Sequence, residues 1–251
     1  MDGKEAILAK IRSEIVRKSP FDDTETQRIL LKYFSKVPAN VRILLDNYNF
    51  DQLKVLEIGS SYGEALLYWG PESEGIEIQP HMVEFTRVLG RNTHMLNVED
   101  GFFHLIKPES YDAVHTNNLI EHLISPHLFL LRLYRVLRND GILAIGHPVV
   151  PPPLLQSFWK AFGFKGWQAV EHVNFFIPET IKLTLERAGF RIICQYFPGL
   201  YQIHPLLSKV FVPVGVQCLT VCRKTVDFKY PLKRSADFDP QYAASDLRYF
   251  H

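Results

Sequence analysis

Lys54-Val55-Leu56-Glu57-Ile58-Gly59-Ser60-Ser61-Tyr62-Gly63-Glu64 runs from an apolar strand into a turn of small residues. Val55, Leu56 and Ile58 suit a strand buried within a parallel sheet, and Gly59 lets the backbone bend where a Cβ would block it. Gly63 then allows close approach at the start of a helix predicted over Glu64 to Trp69. Glu77 follows Gly59 by 18 residues and ends a second apolar strand, Gly75-Ile76-Glu77-Ile78. In that geometry one strand-to-helix turn wraps the middle of a nucleoside cofactor, and the next strand end receives a ribose diol.

A dinucleotide needs glycines at positions 59, 61 and 64, because its pyrophosphate sits against bare backbone at a helix N-terminus. Ser61 and Glu64 stand at the last two of these places. A glutamate there repels a pyrophosphate, which disfavours NAD or FAD. A zwitterionic cofactor with an amino-acid end and no phosphate fits better.

These residues resemble the first motif of the class I S-adenosylmethionine-dependent methyltransferases, acid-x-Gly-x-Gly-x-Gly, with Glu57, Gly59, Ser61 and Gly63 in its places. Ser61 departs from the pattern and leaves slightly less room beside a cofactor. The resemblance implies a Rossmann-like, doubly wound α/β fold with seven strands, mostly parallel with an antiparallel last strand, and helices on both faces. It implies S-adenosylmethionine as cofactor, with Glu57 helping to hold the methionine amino group, directly or through water, and Glu77, beside Ile78, accepting hydrogen bonds from both ribose hydroxyls. Asn97, Val98 and Glu99, at the end of a third strand over Thr93 to Leu96, take the places that meet the adenine. Thr116 and Asn117, after a fourth strand over Tyr111 to His115, lie near the sulfonium end.

Further along, the order and spacing continue to match. Pro80 opens a helix that runs through Val88 and closes at Gly90. Another helix is predicted over Ser125 to Leu137, with Leu128, Leu131, Leu133 and Val136 partly inward. Asn139-Asp140-Gly141 reads as a turn into a fifth strand, Ile142 to Ile145. Glu171-His172-Val173-Asn174-Phe175-Phe176-Ile177-Pro178, leading into a helix over Ile181 to Ala188 and then Gly189-Phe190, is similar to a signature of a small-molecule subgroup of that family. Arg191 to Tyr196 and Val216 to Cys222 complete the seven strands.

Three regions flank this frame. Residues 1–50 read as an N-terminal helical cap, with helices at Lys4 to Arg17 and Asp23 to Phe34. The methyltransferase domain then covers 51–226, with an aromatic insertion at about 149–170 carrying Phe158, Trp159, Phe162, Phe164 and Trp167. Those rings suit a substrate lid, a completed core or a homodimer contact. Residues 227–251 form a polar tail with interspersed aromatics, and Tyr196 to Val216, broken by Pro198, Pro205 and Pro213, reads as an apolar loop.

Composition bounds the partners. The chain has 251 residues, 47% of them hydrophobic, and a net charge of +1, which gives no reason to expect nucleic acid. Three cysteines, with no apolar leader segment, point to a reducing, cytoplasmic setting. Cys218 and Cys222 fall on one face of a strand, where core packing is expected. No apolar run is long enough for a transmembrane helix.

For transfer to a hydroxyl, a base is needed. Histidine suits that role because its pKa, about 6.5, lies near neutrality. His147, His172 and His122 all follow the ends of strands four and five or the aromatic insertion, with the first two ahead of the third. No His/Asp/Glu cluster has metal-ligand spacing, so no metal is expected. The acceptor expected is a small molecule or glycan, methylated at oxygen. A binding or regulatory protein that keeps the fold without turnover is the alternative, kept open by Ser61 and by the unassigned base.

Overall fold

The structure is a computed structural model, and it describes residues 34–100, 106–153, 156–157, 161, 170–201, 204–209, 217–226 and 228. The helix expected over Lys4 to Arg17, that over Asp23 to Phe34 apart from Phe34 itself, which stands in a turn, the five named rings of the aromatic insertion, and the tail apart from Phe228 lie outside these residues.

A seven-stranded sheet forms the frame: β1 Val55–Ile58, β2 Glu74–Glu77, β3 Asn92–Met95, β4 Tyr111–Asn117, β5 Leu137–Pro148, β6 Phe190–Tyr196 and β7 Gln217–Lys224. Its order is β3-β2-β1-β4-β5-β7-β6. The first five strands run parallel, whereas β7 is antiparallel to both β5 and β6. The chain therefore winds outward from β1 to β3, returns to β4, and winds the other way. Strand order reverses between β1 and β4, the kind of switch point beyond whose strand ends doubly wound sheets bind their ligands.

Both faces of the sheet are covered, which explains why all four residues of β1 are buried. On one face α3 (Pro126–Val136) and α4 (Pro178–Arg187) bring Phe129, Leu130, Leu133, Ile181 and Leu185 against Leu56, Ile58, Val114, Leu143 and Ile145. On the other, α1 (Ala39–Tyr48) buries Val41, Ile43 and Leu44 in the cluster that holds Val55, Trp69, Ala113, Ala144 and Leu219. Thus α1, inside the expected cap, shares the core of the sheet. Its Val41, Leu44 and Tyr48 recur at helical spacing, a signal that marks the helix in the sequence.

The helix α2 (Pro80–Val88) has proline at its first turn and Gly90 at φ 82° after its end, as expected. In α3, Leu131, Leu133 and Val136 are buried while Leu128 is only half-buried. Cys218 and Cys222 are buried free thiols on β7. Burial pushes the Cys218 thiol up to about 12, so it packs as an apolar group.

Three local expectations are corrected. Glu64 to Trp69 is not an α-helix but a turn leading into a 3-10 helix at Leu66–Tyr68. The Trp69 indole reaches inward to Glu57, while the Arg91 guanidinium donates to the carbonyls of Leu67, Trp69 and Gly70, which a continuing helix would occupy. Second, β5 starts at Leu137, directly after α3, so Asn139-Asp140-Gly141 lies inside it. The register against β4 shifts between Tyr111 and Ala113, and Asp140 at φ 59° absorbs the extra residues. Third, the loop after β6 contains a short helix, α5 (Pro198–Tyr201), and a 3-10 turn, Leu207–Lys209.

Candidate cofactor and acceptor site

The turn after β1 is built by backbone conformation. Gly59, Ser61 and Gly63 all have positive φ, at 70°, 50° and 83°. A Cβ on Gly63 would stand 2.9 Å from Cγ2 of Thr86, a fully buried residue of α2. Only glycine fits between that turn and α2. Ser61 adopts a conformation that glycine adopts more readily, and its N–H is held by the acid of the next strand.

That acid is Glu77, with 8% of its surface exposed. Its Oε2 accepts from the Ser61 N–H at 2.9 Å, and its Oε1 accepts from the N–H groups of Ile78 and Gln79 at 2.8 and 2.9 Å. The carboxylate therefore ties the glycine turn to the end of β2. Two carboxylate oxygens offer about four acceptor sites, so roughly one remains open, on Oε2. Ile78, next to it, is an apolar side chain that is 53% exposed.

Glu57 is already engaged within the protein. It is 3% exposed, its Oε2 accepts from Trp69 Nε1 at 2.6 Å, and His115 Nδ1 lies 2.7 Å from the same oxygen. His115 stands opposite Glu57 in the register of β4 against β1, and its Nε2 is buried without a hydrogen-bond partner. The carboxylate thus holds two donors on the α1 side of the sheet, and an ammonium group would have to share it. Sequence reasoning missed Trp69 and His115. The paired register of an acid and a histidine on neighbouring strands would have revealed the second.

Beyond Glu57, Glu64 has a buried oxygen without a partner. Burial first, and then the carboxylates of Glu57 and Glu77, push its carboxyl up to about 7. Near neutrality it is only partly charged.

The loop after β3 is held from below. Asn97 Oδ1 accepts from the Glu99 N–H at 3.1 Å, and Glu99 Oε1 accepts from the Ile124 N–H at 2.6 Å ahead of α3. Arg132 of α3 donates to the carbonyls of Val98 and Glu99, which leaves Val98 nearly buried. At the end of β4, the Thr116 hydroxyl is buried without a partner, and Asn117 lies over Gly146, where a Cβ would collide with its amide. Gln217 Nε2 donates to Asn117 Oδ1 at 3.2 Å.

The three candidate histidines separate into two groups. His147 is fully buried, donates from Nδ1 to the Pro148 carbonyl at 2.9 Å, and packs on Phe176 with centroids 5.7 Å apart. Burial pushes its pKa down to about 4, which makes it a poor proton acceptor. His122 and His172 instead meet edge to face at 4.8 Å. The backbone carbonyl of Glu121 accepts from the N–H groups of Val173 and Asn174, and the Asn174 amide donates to the Leu123 carbonyl. These bonds lash the segment carrying His172 to the 3-10 turn Ile120–His122. Distance in sequence hides the pairing: 49 residues separate His122 from its hydrogen-bond partner Glu171.

A cavity of about 1020 Å³ runs along the sheet face past Lys54, Ile76, Val83, His94, Ile106 and Tyr111. None of the glycine-turn residues, Glu77 or the histidine cluster lines it.

A reversed-order sheet, a glycine-shaped turn and an acid locked at the next strand end define a nucleoside-cofactor fold of the methyltransferase type. Residues 27–195 match the methyltransferase domain family, and the chain belongs to that family. Its cofactor is S-adenosylmethionine. Solved structures agree on the fold. An S-adenosylmethionine-dependent methyltransferase of Thermotoga maritima, 19% identical, has a TM-score of 0.59 over 86% of this chain and 99% of its own. One from Archaeoglobus fulgidus, 20% identical, has a TM-score of 0.56 over 80% and 100%. The [4+2]-cyclase SpnF, 14% identical, has a TM-score of 0.53 over 74% and 80%. No curated protein sequence gives a significant match. Among the described residues, no helix is long and apolar enough to cross a membrane.

Proposed function

We propose that the chain transfers the methyl group of S-adenosylmethionine to a hydroxyl of a small-molecule or glycan acceptor. The observation that carries this reading is the Glu77 carboxylate, fixed by three backbone N–H groups at the end of β2 with acceptor capacity to spare. A ribose hydroxyl is the donor that such a group receives.

The residues present fit the cofactor. Gly59 and Gly63 keep the turn free of side chains, Ile78 flanks the nucleoside, and Asn97, Val98 and Glu99 form the loop for the adenine. Thr116 and Asn117 end β4 beside the methionine part, where the buried Thr116 hydroxyl still lacks a partner. Glu57 contributes through the backbone direction of the β1 end and through residual acceptor capacity of its shared carboxylate.

When bound, S-adenosylmethionine supplies a methyl group already activated on a sulfonium. The chain must then align the acceptor and take its proton. His122 and His172 suit this better than His147. The His122 side chain is 32% exposed, and because its Nδ1 donates to the Glu171 carbonyl, the lone pair sits on Nε2. His147 is enclosed and serves instead as packing.

Calorimetry with S-adenosylhomocysteine, followed by transfer of radiolabelled methyl to panels of hydroxyl and amine acceptors, tests the reading. Saturable binding with label recovered on hydroxyl acceptors is expected. Label recovered only on amines would overturn the oxygen assignment, and absence of binding would overturn the whole. A second reading, a binding or regulatory protein, is favoured by one observation: the Glu57 carboxylate is already engaged by Trp69 and His115. Binding of the cofactor without transfer to any acceptor would establish it.

A further inference from the structure

We propose that Glu121, His122 and His172 form a binding site for a divalent transition-metal ion of the zinc class. Their ligand atoms all lie within 4.8 Å of one another, on the 3-10 turn after β4 and on the segment lashed to it. The Glu121 side chain is 1% exposed, and neither of its oxygens has a hydrogen-bond partner. A buried carboxylate with no donor is costly, and a cation held there would offset that cost. Oε1 faces His122 Nε2 at 3.9 Å.

The histidine is prepared in the same sense. His122 Nδ1 lies 3.1 Å from the Glu171 carbonyl, and since a carbonyl only accepts, Nδ1 carries the proton. That second bond orients the ring and turns the Nε2 lone pair toward Glu121, the arrangement in which metal-ligating histidines are usually held. Ligand atoms around zinc at about 2.0 to 2.2 Å stand roughly 3 to 3.5 Å apart. The half-exposed rings of His122 and His172 can close that gap by side-chain rotation, because only Glu121 is fully enclosed.

Two nitrogens and one oxygen suit zinc, or cobalt in its place, better than magnesium, calcium or manganese, which prefer oxygen-rich shells. Three protein ligands leave at least one position open, the pattern of a working site rather than a structural one. What the ion does there rests on the methyl-transfer reading and replaces one step of it, since an ion on His122 Nε2 occupies the lone pair that would otherwise take the acceptor's proton. An acceptor hydroxyl on the open position would lose its proton to water more easily, and its oxygen would take the methyl group as the sulfonium carbon–sulfur bond breaks.

The test uses the untagged full chain after chelator treatment, titrated with Co²⁺ by visible absorbance and with Zn²⁺ by calorimetry. One equivalent of Co²⁺ with ligand-field bands is expected, weakened at least tenfold in His172→Ala, His122→Ala and Glu121→Gln. S-adenosylhomocysteine affinity and thermal midpoint within normal scatter of the parent show that each variant is folded. If Glu121→Gln does not fold, the half-exposed His172→Ala decides alone. No Co²⁺ binding by the parent, or binding that His172→Ala leaves unchanged, overturns the site. A parent that binds S-adenosylhomocysteine but no Co²⁺ loses the metal and keeps the methyltransferase reading. One that binds Co²⁺ but no S-adenosylhomocysteine does the reverse.

Discussion

Glu77→Ala is the sharpest perturbation of the proposed cofactor site, because the structure separates its two jobs. The carboxylate accepts three backbone N–H bonds, from Ser61, Ile78 and Gln79, and offers about one further acceptor position to a ribose hydroxyl. A hydrogen bond to a charged group contributes about 1.5 to 3 kcal/mol. Losing the ribose bond alone should therefore weaken S-adenosylhomocysteine binding by roughly 10- to 150-fold. Losing the Ser61 bond also frees a turn with three consecutive odd-numbered residues at positive φ, 59, 61 and 63. That places the effect toward the upper end and adds a fall in stability. Calorimetry at matched ionic strength measures the first quantity, and urea denaturation of the free protein measures the second. Glu77→Gln separates them further, since an amide keeps one acceptor oxygen while its NH₂ faces backbone donors. An affinity within twofold of the parent for Glu77→Ala, with the variant folded, would refute the assignment of the β2 end as the ribose site.

The remaining predictions concern the frame around it. Gly63→Ala should cost about 1 to 2 kcal/mol in urea denaturation from the left-handed backbone alone, and more where its Cβ meets Thr86. Trp69→Phe keeps a ring in the core but removes the donor to the buried Glu57 carboxylate, so a loss of about 1 to 3 kcal/mol is expected by the same measurement. Glu64 binds its proton more tightly when folded, with a pKa near 7 against 4.5 unfolded. Its contribution is fully present below pH 4.5 and is lost as pH rises through about 7, so Glu64→Gln should flatten the stability curve over that window by up to roughly 3 kcal/mol. His147→Gln should leave the pH profile of methyl transfer unchanged, whereas His122→Gln should alter it. A shift caused by the first variant would restore His147 as a proton acceptor.

Much of the fold was legible because apolar periodicity and turn chemistry act locally. Val55 to Ile58 and Gly75 to Glu77 read as strands, and Pro80 and Gly90 bracketed their helix, since each signal depends only on neighbouring residues. Where a distant group overruled local preference, reading failed. Glu64 to Trp69 looks helical in isolation, but Arg91 claims its carbonyls and Glu57 claims its indole. The strand after α3 begins five residues before Ile142, because pairing with Tyr111 draws Leu137 into the sheet.

The same division runs through the site. By itself the sequence determined a doubly wound α/β frame, the glycine turn, and an acid at the next strand end, because backbone freedom and strand alternation are properties of short segments. Only the tertiary structure decided which polar groups meet. It put His115 beside Glu57 through the register of two strands, enclosed His147, and brought His172 to His122 and Glu121 across a long excursion of the chain. Burial and partner choice depend on what folding packs around a side chain, and no local pattern carries that information.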